Sequence, residues 1–258
     1  MADNYQTAII IPARYASTRF PGKPLAMLDG KPIIQHVWKT ASAVCHDVYV
    51  ATDDERIAKT VASFGGNAIM TSSDLRSGTD RIAQAYSRMT KKYDFIINIQ
   101  GDEPFIHKEQ ISALMHCLED NNAEIATVVT PFASDATIES LENENSPKVV
   151  ISKDMKALYF SRSVIPFVRG KIKAEWLKEH TFYKHIGIYG FRGDVLTEIT
   201  KLPSGSLEKA ESLEQLRWLE NGYTINVVVS NYETVGIDTP HDLERAAEYI
   251  RNNRHNEI

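Results

Sequence analysis

The sequence predicts an α/β protein with a mostly parallel sheet and helices on both faces of that sheet. In the first half of the 258-residue chain, short apolar runs alternate with amphipathic segments of helical length. Polar and charged loops follow the apolar runs, and ligands bind at the carboxyl ends of the strands in such sheets. The sequence contains no repeat, no low-complexity tract and no linker, so we predict one domain over residues 1–258.

The elements of the first half follow from apolar spacing. Helices are predicted where apolar residues recur every three or four positions. The pair Asp53-Asp54 is suited to cap the second of them, and the pair Gly65-Gly66 to end it. The predicted strands are 7–11, 48–51, 68–70 and 95–99, and the predicted helices are 32–44, 54–64 and 79–89.

The middle of the chain is less regular. The acidic stretch 134–148 is predicted to be a solvated loop, and 149–169 to give strand-like pieces broken by Pro166. Segment 170–184 mixes lysines with aromatic residues, which leaves open an arm, a lid or an interface. Leucines at helical spacing predict one continuous helix over 207–222.

The last part of the chain is predicted to return to the alternating pattern. Strands are expected at 225–229 and 234–237. Thr239 is suited to cap a final helix, with Pro240 in its first turn and Asp242 at its third position.

Composition limits the class of protein. A net charge of −5 argues against general nucleic-acid binding, and no apolar stretch reaches membrane-spanning length. Cys45 and Cys117 form no disulfide framework and are expected to be buried thiols in a reducing compartment. With a polar start, 1–7, that is unlike a signal peptide, the sequence predicts a cytoplasmic protein.

The first strand leads into the segment IIIPARYASTRFPGK, residues 9–23. It carries Arg14, Arg19 and Lys23 within ten residues, and Gly22 lets the backbone approach a ligand. Neither the Walker spacing nor the Gly-rich dinucleotide fingerprint is present. Although three cations could form an ordinary solvated loop, their place after a central strand favours a polyphosphate site.

Two aspartates lie beyond predicted strand ends. Asp102 could be a turn residue in Gly-Asp-Glu-Pro, and Asp238 could begin a helix, although Thr239 is the better cap. Carboxylates beside a triphosphate loop are what Mg²⁺ requires, because it takes hard oxygen ligands from protein, phosphate and water.

Residues 9–23 and six further motifs, in order, make the chain resemble the 3-deoxy-manno-octulosonate cytidylyltransferases, the CMP-Kdo synthetases of Gram-negative bacteria. After residues 9–23, the resemblance continues through SGTDR at 77–81, NIQGDEP at 98–104, YFSR at 159–162, HIGIYG at 185–190, LEQLR at 213–217 and GIDTP at 236–240. It therefore covers nearly the whole chain. It implies a Rossmann-like nucleotidyltransferase (GT-A-like) fold, with a nucleotide-binding core at about 1–130 and 225–258 and a smaller β-rich subdomain for sugar binding and dimerisation at about 149–222.

The resemblance also implies roles for individual residues. Lys23, Arg14, Asp102 and Asp238 would be catalytic, and the two aspartates would hold Mg²⁺. The residues implied to bind CTP are Ala13, Arg14, Arg19, Gly22, Lys23, Ser77 and Gly78. The residues implied to bind Kdo are Arg81, Gln100, Arg162, His185, Tyr189, Glu214 and Gln215.

From local sequence alone, several of these residues have simpler interpretations. Ser77 or Thr79 can be a helix cap, with Asp80 in the first turn. Arg162 can be a surface residue, His185 structural and Tyr189 part of the core. The resemblance implies a cytoplasmic homodimer that makes CMP-Kdo and diphosphate from CTP and Kdo, for lipopolysaccharide assembly. Two alternatives stay open, namely activation of another 2-keto sugar acid such as 8-amino-Kdo or a sialic acid, and a non-catalytic sensor on the same fold.

Overall fold

The computed structural model describes residues 5–17, 19–119, 123–232 and 236–254, with backbone alone for 252–254. The chain divides into two compact units. Unit 1 comprises Met1–Ser112 and Thr234–Ile258, and unit 2 comprises Ala113–Glu233.

Unit 1 begins with the alternating pattern that the sequence predicts. Its strands are β1 (Thr7–Ala13), β2 (Met27–Leu28), β3 (Lys31–Pro32), β4 (Val48–Thr52), β5 (Asn67–Met70) and β6 (Phe95–Asn98). Its helices are α1 (Ile33–Ser42), α2 (Glu55–Ser63) and α3 (Gly78–Arg88), and α4 (Lys108–Glu119) begins in unit 1 and ends in unit 2.

The central strands of unit 1 are parallel. Their order is β6–β1–β4–β5, with Ile9 of β1 in register with Val48 and with Ile97. Helices α1, α2 and α3 each connect one of these strands to the next along the chain. Parallel strands need such crossovers, and a core strand with apolar residues on both faces is typical of this arrangement. The predicted mostly parallel α/β fold is confirmed.

Helix starts in unit 1 follow local capping rules. The Asp54 side chain accepts a hydrogen bond from the backbone N–H of Arg56, and Ser77 accepts one from Asp80. Both residues have extended backbone and satisfy N–H groups that the first helical turn leaves unpaired.

Unit 2 contains a mixed sheet. Strand β7 (Ile125–Pro131) lies between β11 (Ile225–Val229), to which it is parallel, and β10 (Tyr183–Arg192), to which it is antiparallel. Antiparallel β8 (Lys148–Ile151) and β9 (Ala157–Ser161) extend it from β10. The helices of unit 2 are α5 (Ile138–Glu142), α6 (Trp176–Glu179), α7 (Gly193–Ile199), α8 (Ser206–Glu211) and α9 (Gln215–Glu220).

The predicted continuous helix over 207–222 is wrong. The chain forms α8 and α9, separated at Ser212, which adopts the left-handed conformation with φ 51°. Arg162 donates to the carbonyl oxygens of Glu211 and Ser212 and so fixes this break from a distant part of the chain. The leucine spacing predicts both helical pieces but not the interruption.

Other predictions for the second half also need correction. The 134–148 stretch contains α5, capped by Thr137, and segment 170–184 contains α6 and the start of β10. Of the predicted strand 234–237, residues 234 and 235 lie outside the described part, and Gly236 and Ile237 are not in a strand. Neither cysteine forms a disulfide within the described part of the chain, but only Cys45 is buried, whereas Cys117 is half-buried.

The last helix returns to unit 1. Helix α10 (Pro240–Arg254) begins with a reciprocal cap, because Thr239 accepts from the N–H of Asp242 while the Asp242 carboxylate accepts from the N–H of Thr239. The prediction that Thr239 caps this helix is confirmed. Within the described residues, no helix is both long enough and apolar enough to cross a membrane.

Candidate active site

A polar cleft of about 220 Å³ lies in unit 1, beyond the carboxyl ends of β1 and β6. Four segments form it: the loop after β1, the turn after β6, the N-terminus of α3 with the residues before it, and the residues just before the last helix. The lining residues are Pro12, Ala13, Arg14, Ser17, Arg19, Lys23, Pro24, Leu75, Arg76, Ser77, Gly78, Arg81, Gln100, Gly101, Asp102 and Asp238.

Lys23 lies between two carboxylates in this cleft. Its Nζ is 2.5 Å from Asp102 Oδ2 and 3.1 Å from Asp238 Oδ1. The Lys23 side chain is only 10% exposed, against 34% for Asp102 and 46% for Asp238. Because a buried ammonium is stable only when it is paired, the two aspartates hold Lys23 at a defined position.

Backbone contacts bring the two aspartates together although 136 positions separate their numbers. The N–H of Ile237 donates to the carbonyl of Asp102 at 3.1 Å. The turn before Asp102 approaches β1 closely, and a Cβ on Gly101 would lie 2.9 Å from the Pro12 carbonyl. Glycine at 101 therefore permits the packing that aims Asp102 at the loop.

Further cations surround the pair of carboxylates. Arg19 donates from Nη1 to Asp238 Oδ2 at 3.0 Å, and both side chains are largely exposed. Arg14 is exposed at the cleft and makes no ion pair with any described residue. Arg14, Arg19 and Lys23 outnumber the two carboxylates, so the cleft favours a polyanion.

The N-terminus of α3 forms another wall. Ser77 caps this helix of 11 residues, and Gly78 is its first residue. The unpaired N–H groups and the dipole of a helix start favour negative or hydrogen-bond-accepting groups. Ser77 thus serves as cap and as lining residue at once, so its two interpretations from sequence are compatible.

Arg81 and Gln100 lie in the same cleft. Arg81 is 3% exposed, and it donates to Thr71 Oγ1 at 2.6 Å and to Asp53 Oδ2 at 3.3 Å. Gln100 donates to Asn98 Oδ1 at 3.3 Å. These bonds fix the orientation of both side chains before any ligand binds.

Two residues assigned to the sugar side lie on β10 of unit 2. The rings of His185 and Tyr189 are in contact, with centroids 5.2 Å apart, where the β7–β10 register shifts. Burial lowers the pKa of His185 to about 3, and its Nε2 lies 3.1 Å from the Thr127 hydroxyl. Burial, with the negative charge of Glu214, raises the pKa of Tyr189. Both rings are therefore uncharged near neutral pH.

Glu214 and Gln215 also belong to unit 2, at the start of α9. The Glu214 carboxylate accepts from Arg217 Nη2 at 2.7 Å, and its charge acts on Tyr189. Gln215 is 4% exposed, and its amide nitrogen has no hydrogen-bond partner among the described residues. An unpaired buried amide is costly, which makes Gln215 suited to a polar ligand.

Arg162 is held differently from the other residues of this set. Its guanidinium donates to the carbonyl oxygens of Glu144, Glu211 and Ser212, at 2.7, 2.6 and 3.2 Å. Arg162 therefore stabilises the break between α8 and α9. Its contact with sugar stays a prediction.

The donor set at the cleft fits a hard divalent cation. Asp102 and Asp238 offer two carboxylates that already converge on one positive group, the Lys23 ammonium. Magnesium commonly takes one or two carboxylates and completes its shell with phosphate oxygens and water. Among the described residues, no cluster of three or more His, Cys, Asp or Glu side chains suits a metal, so these two need phosphate or water as further ligands.

The structure brings most of the predicted nucleotide residues together. Gly22 is the exception, because it shapes the loop with φ +73° without lining the cleft. Sequence reasoning missed Arg76, an exposed cation at the cleft that directly precedes the cap Ser77. Its position after a strand of the parallel sheet was a usable signal.

Comparison with known proteins gives a family match. The family model for cytidylyltransferases matches residues 8–225. The chain is 61% identical, over 242 residues, to a 3-deoxy-manno-octulosonate cytidylyltransferase of Phocaeicola vulgatus, covering 94% of this chain and 96% of the relative.

Solved structures give the same result. A CMP:2-keto-3-deoxy-manno-octonic acid synthetase complexed with CTP superposes with a TM-score of 0.87 at 39% identity, covering 96% of this chain and 99% of that one. The 4-diphosphocytidyl-2C-methyl-D-erythritol synthase of Anaerococcus prevotii has a TM-score of 0.62 at 13% identity, covering 96% and 100%, and so shares the fold.

Proposed function

This chain belongs to the 3-deoxy-manno-octulosonate cytidylyltransferase family, and we propose that it transfers CMP from CTP to the anomeric C2 hydroxyl of Kdo. The products are CMP-Kdo, which serves lipopolysaccharide assembly, and diphosphate. One observation carries the proposal: Lys23, Asp102 and Asp238 meet in a cleft lined by arginines at the ends of parallel strands.

Phosphate binding follows from the charges in the cleft. Arg14, Arg19 and Lys23 provide fixed positive charge for the triphosphate, and the N-terminus of α3 provides N–H groups. Ala13, Ser77 and Gly78 bring backbone close to the nucleotide, and Gly22 sets the loop that carries Lys23.

The reaction needs positioning and charge neutralisation more than covalent chemistry. The C2 hydroxyl attacks the α-phosphorus in line, and the bond to diphosphate breaks on the opposite side. Lys23, with Arg14 and Arg19, offsets negative charge that moves onto the leaving diphosphate. No bond to an enzyme side chain is required.

Asp102 and Asp238 are proposed to hold Mg²⁺ in the loaded enzyme, with phosphate oxygens completing the shell. When bound there, Mg²⁺ would neutralise phosphate charge and lower the pKa of the attacking hydroxyl. Lys23 would then leave the carboxylates and donate to phosphate instead. Its flexible stem and three rotatable donors suit such a movement.

The set of residues proposed for the sugar includes members of unit 1 and members of unit 2. Arg81 and Gln100 contribute from the cleft of unit 1, and their positions are fixed by the bonds described above. In unit 2, the uncharged rings of His185 and Tyr189 and the unpaired amide of Gln215 support a pocket for a polyhydroxylated ligand. Glu214 and Arg162 complete the proposed set.

We also propose a cytoplasmic homodimer. Exposed apolar side chains in unit 2 support an interface there, since Leu158, Phe167 and Ile172 are 59%, 74% and 68% exposed. Cytoplasmic CTP and two cysteines that form no disulfide with each other support the location.

The test is diphosphate release from CTP, measured with and without Kdo. We expect release only when Kdo and Mg²⁺ are present, and faster release with Kdo than with 8-amino-Kdo or sialic acid offered side by side. Preference for another acid would reassign the substrate. CTP binding without release, with every sugar acid tested, would favour a sensor.

A further inference from the structure

The aromatic ring of Tyr15 makes contacts that no role in the proposed reaction requires. Tyr15 directly follows Arg14 at the start of the loop formed by residues 14–17 and 19–23. The Arg56 guanidinium lies over the ring, with Cζ 3.4 Å from the ring centroid. This distance corresponds to direct stacking of a planar cation on an aromatic face.

The same residue holds the two ends of the loop together. The carbonyl of Tyr15 accepts hydrogen bonds from Gly22 N at 2.9 Å and Ser17 N at 3.0 Å. A Cβ on Gly22 would lie 3.0 Å from Tyr15 Cε2, so the ring packs directly against this glycine. Tyr15 therefore fixes the start of the loop to the residue that precedes Lys23.

Arg56 is itself anchored to a rigid element. It donates from Nε and Nη2 to the two carboxylate oxygens of Asp54, at 2.9 and 2.6 Å. Asp54 also caps α2 through the N–H of Arg56. The stack thus connects the loop to the capped start of α2 through a bidentate ion pair, whose geometry is more defined than that of a single contact.

We propose that Tyr15 and Arg56 are positioning residues that keep the phosphate loop in its binding conformation before the nucleotide arrives. A loop that is already ordered loses less conformational entropy when its cations engage phosphates. The stack lies outside the cleft lining and acts through Arg14, Gly22 and Lys23. This inference rests on the proposed function for its effect on CTP, but not for its effect on the loop.

The first experiment needs no ligand. Limited trypsin digestion of the whole protein, read by mass spectrometry, reports access to the Arg19–Phe20 bond, since the Lys23–Pro24 bond resists trypsin. We expect Tyr15→Ala to be cleaved after Arg19 about tenfold faster than wild type, as is reasonable for a loop that opens locally. Tyr15→Phe, which keeps the ring, should match wild type, and cleavage after the exposed Arg169 serves as internal reference.

Three results would overturn the proposal. They are unchanged cleavage after Arg19 in Tyr15→Ala, an equal increase in Tyr15→Phe, and a parallel increase after Arg169, which would indicate general loosening. Arg56→Lys keeps the charge but loses the planar stack, so its cleavage should lie between those of wild type and Tyr15→Ala.

The second experiment separates positioning from a general structural role. By calorimetric titration, Tyr15→Ala should bind CTP about tenfold more weakly, with Tyr15→Phe restoring affinity. The KM for Kdo at saturating CTP should not change. Equal CTP affinity in Tyr15→Ala and wild type would overturn the role in binding. If wild type itself fails to bind CTP, the proposed function is wrong, while the digestion result still decides whether the stack orders the loop.

Discussion

At the scale of single residues, the carboxylates of the cleft are the most direct test of the metal assignment. We expect Asp102→Asn and Asp238→Asn each to fold normally and to lose at least about 10²-fold in kcat/KM, because each removes an anionic oxygen ligand. Steady-state rates at limiting Mg²⁺, with circular dichroism for folding, provide the measurement. A variant with near-normal turnover would take that aspartate out of the metal site.

Lys23 tests the proposed charge transfer to the leaving group. Lys23→Ala should lower kcat more than it raises the KM for CTP, by about 10²-fold in kcat, because its charge matters most as diphosphate departs. The kcat and KM values measured over a CTP series distinguish this from simple binding. If only KM changes, Lys23 contributes equally to substrate and transition state.

The sequence located these residues because each follows a local rule, but it could not predict their partners. Arg14, Lys23 and Asp102 each follow a strand in the sequence. Because Thr239 caps α10, Asp238 is not needed as the cap. The contact between Lys23 and Asp238 joins positions 215 residues apart, and no local pattern encodes such a pairing.

At the scale of elements, Asp54 joins a helix cap to the Tyr15 stack. Asp54→Ala should destabilise the protein by about 1–2 kcal/mol, since it removes the cap of α2 and the ion pair with Arg56. Asp54→Asn is the matched control, because asparagine caps well but cannot hold the guanidinium by charge. Chemical denaturation should give a smaller loss for Asp54→Asn, and equal losses would show that the cap alone matters.

Asp54 also predicts a pH dependence. The Arg56 hydrogen bonds hold the pKa of Asp54 below its usual value. A lowered pKa in the folded state means that this carboxylate stabilises the protein above its unfolded pKa of about 3.9 and that the contribution is lost as pH falls through the folded value. Wild type should therefore lose more stability than Asp54→Asn between about pH 5 and pH 3, measured by denaturation at each pH. If the free energy of unfolding fell equally with pH in wild type and in Asp54→Asn, this linkage would be wrong.

Elements were predictable where spacing and caps agree, and were missed where distant contacts decide. The starts of α2 and α3 lie within a residue of the prediction because Asp54 and Ser77 cap them. Strand β7 and helices α4 and α7 were not predicted, and 207–222 was predicted without its break. The break depends on Arg162, 49 residues before Glu211, so leucine spacing could not reveal it.

At the scale of the whole molecule, the prediction concerns assembly. We expect a homodimer in sedimentation or light scattering at micromolar concentration. Replacing the exposed Phe167 and Ile172 with serine should weaken association if these apolar side chains lie in the interface. Val229→Ser, also exposed in unit 2 but on β11, is the matched control. A dimer unaffected by the serine replacements at 167 and 172 would place the interface elsewhere, and a monomeric wild type would show that there is none.

The position of Lys23 between Asp102 and Asp238 has a consequence for how the protein depends on its surroundings. The Lys23 ammonium lies between the two carboxylates, where a metal ion could otherwise bind, so the carboxylates do not repel each other before substrate binds. Folding is then independent of the supply of divalent ions, and a chelator should leave the melting temperature of the ligand-free enzyme unchanged. Lys23→Met removes this ammonium. In that variant, Mn²⁺ without nucleotide should bind about tenfold tighter than in wild type, measured by electron paramagnetic resonance. The control Lys91→Met should bind Mn²⁺ as wild type does. Under the proposed Mg²⁺ dependence, a shortage of magnesium would stop the reaction without unfolding the protein.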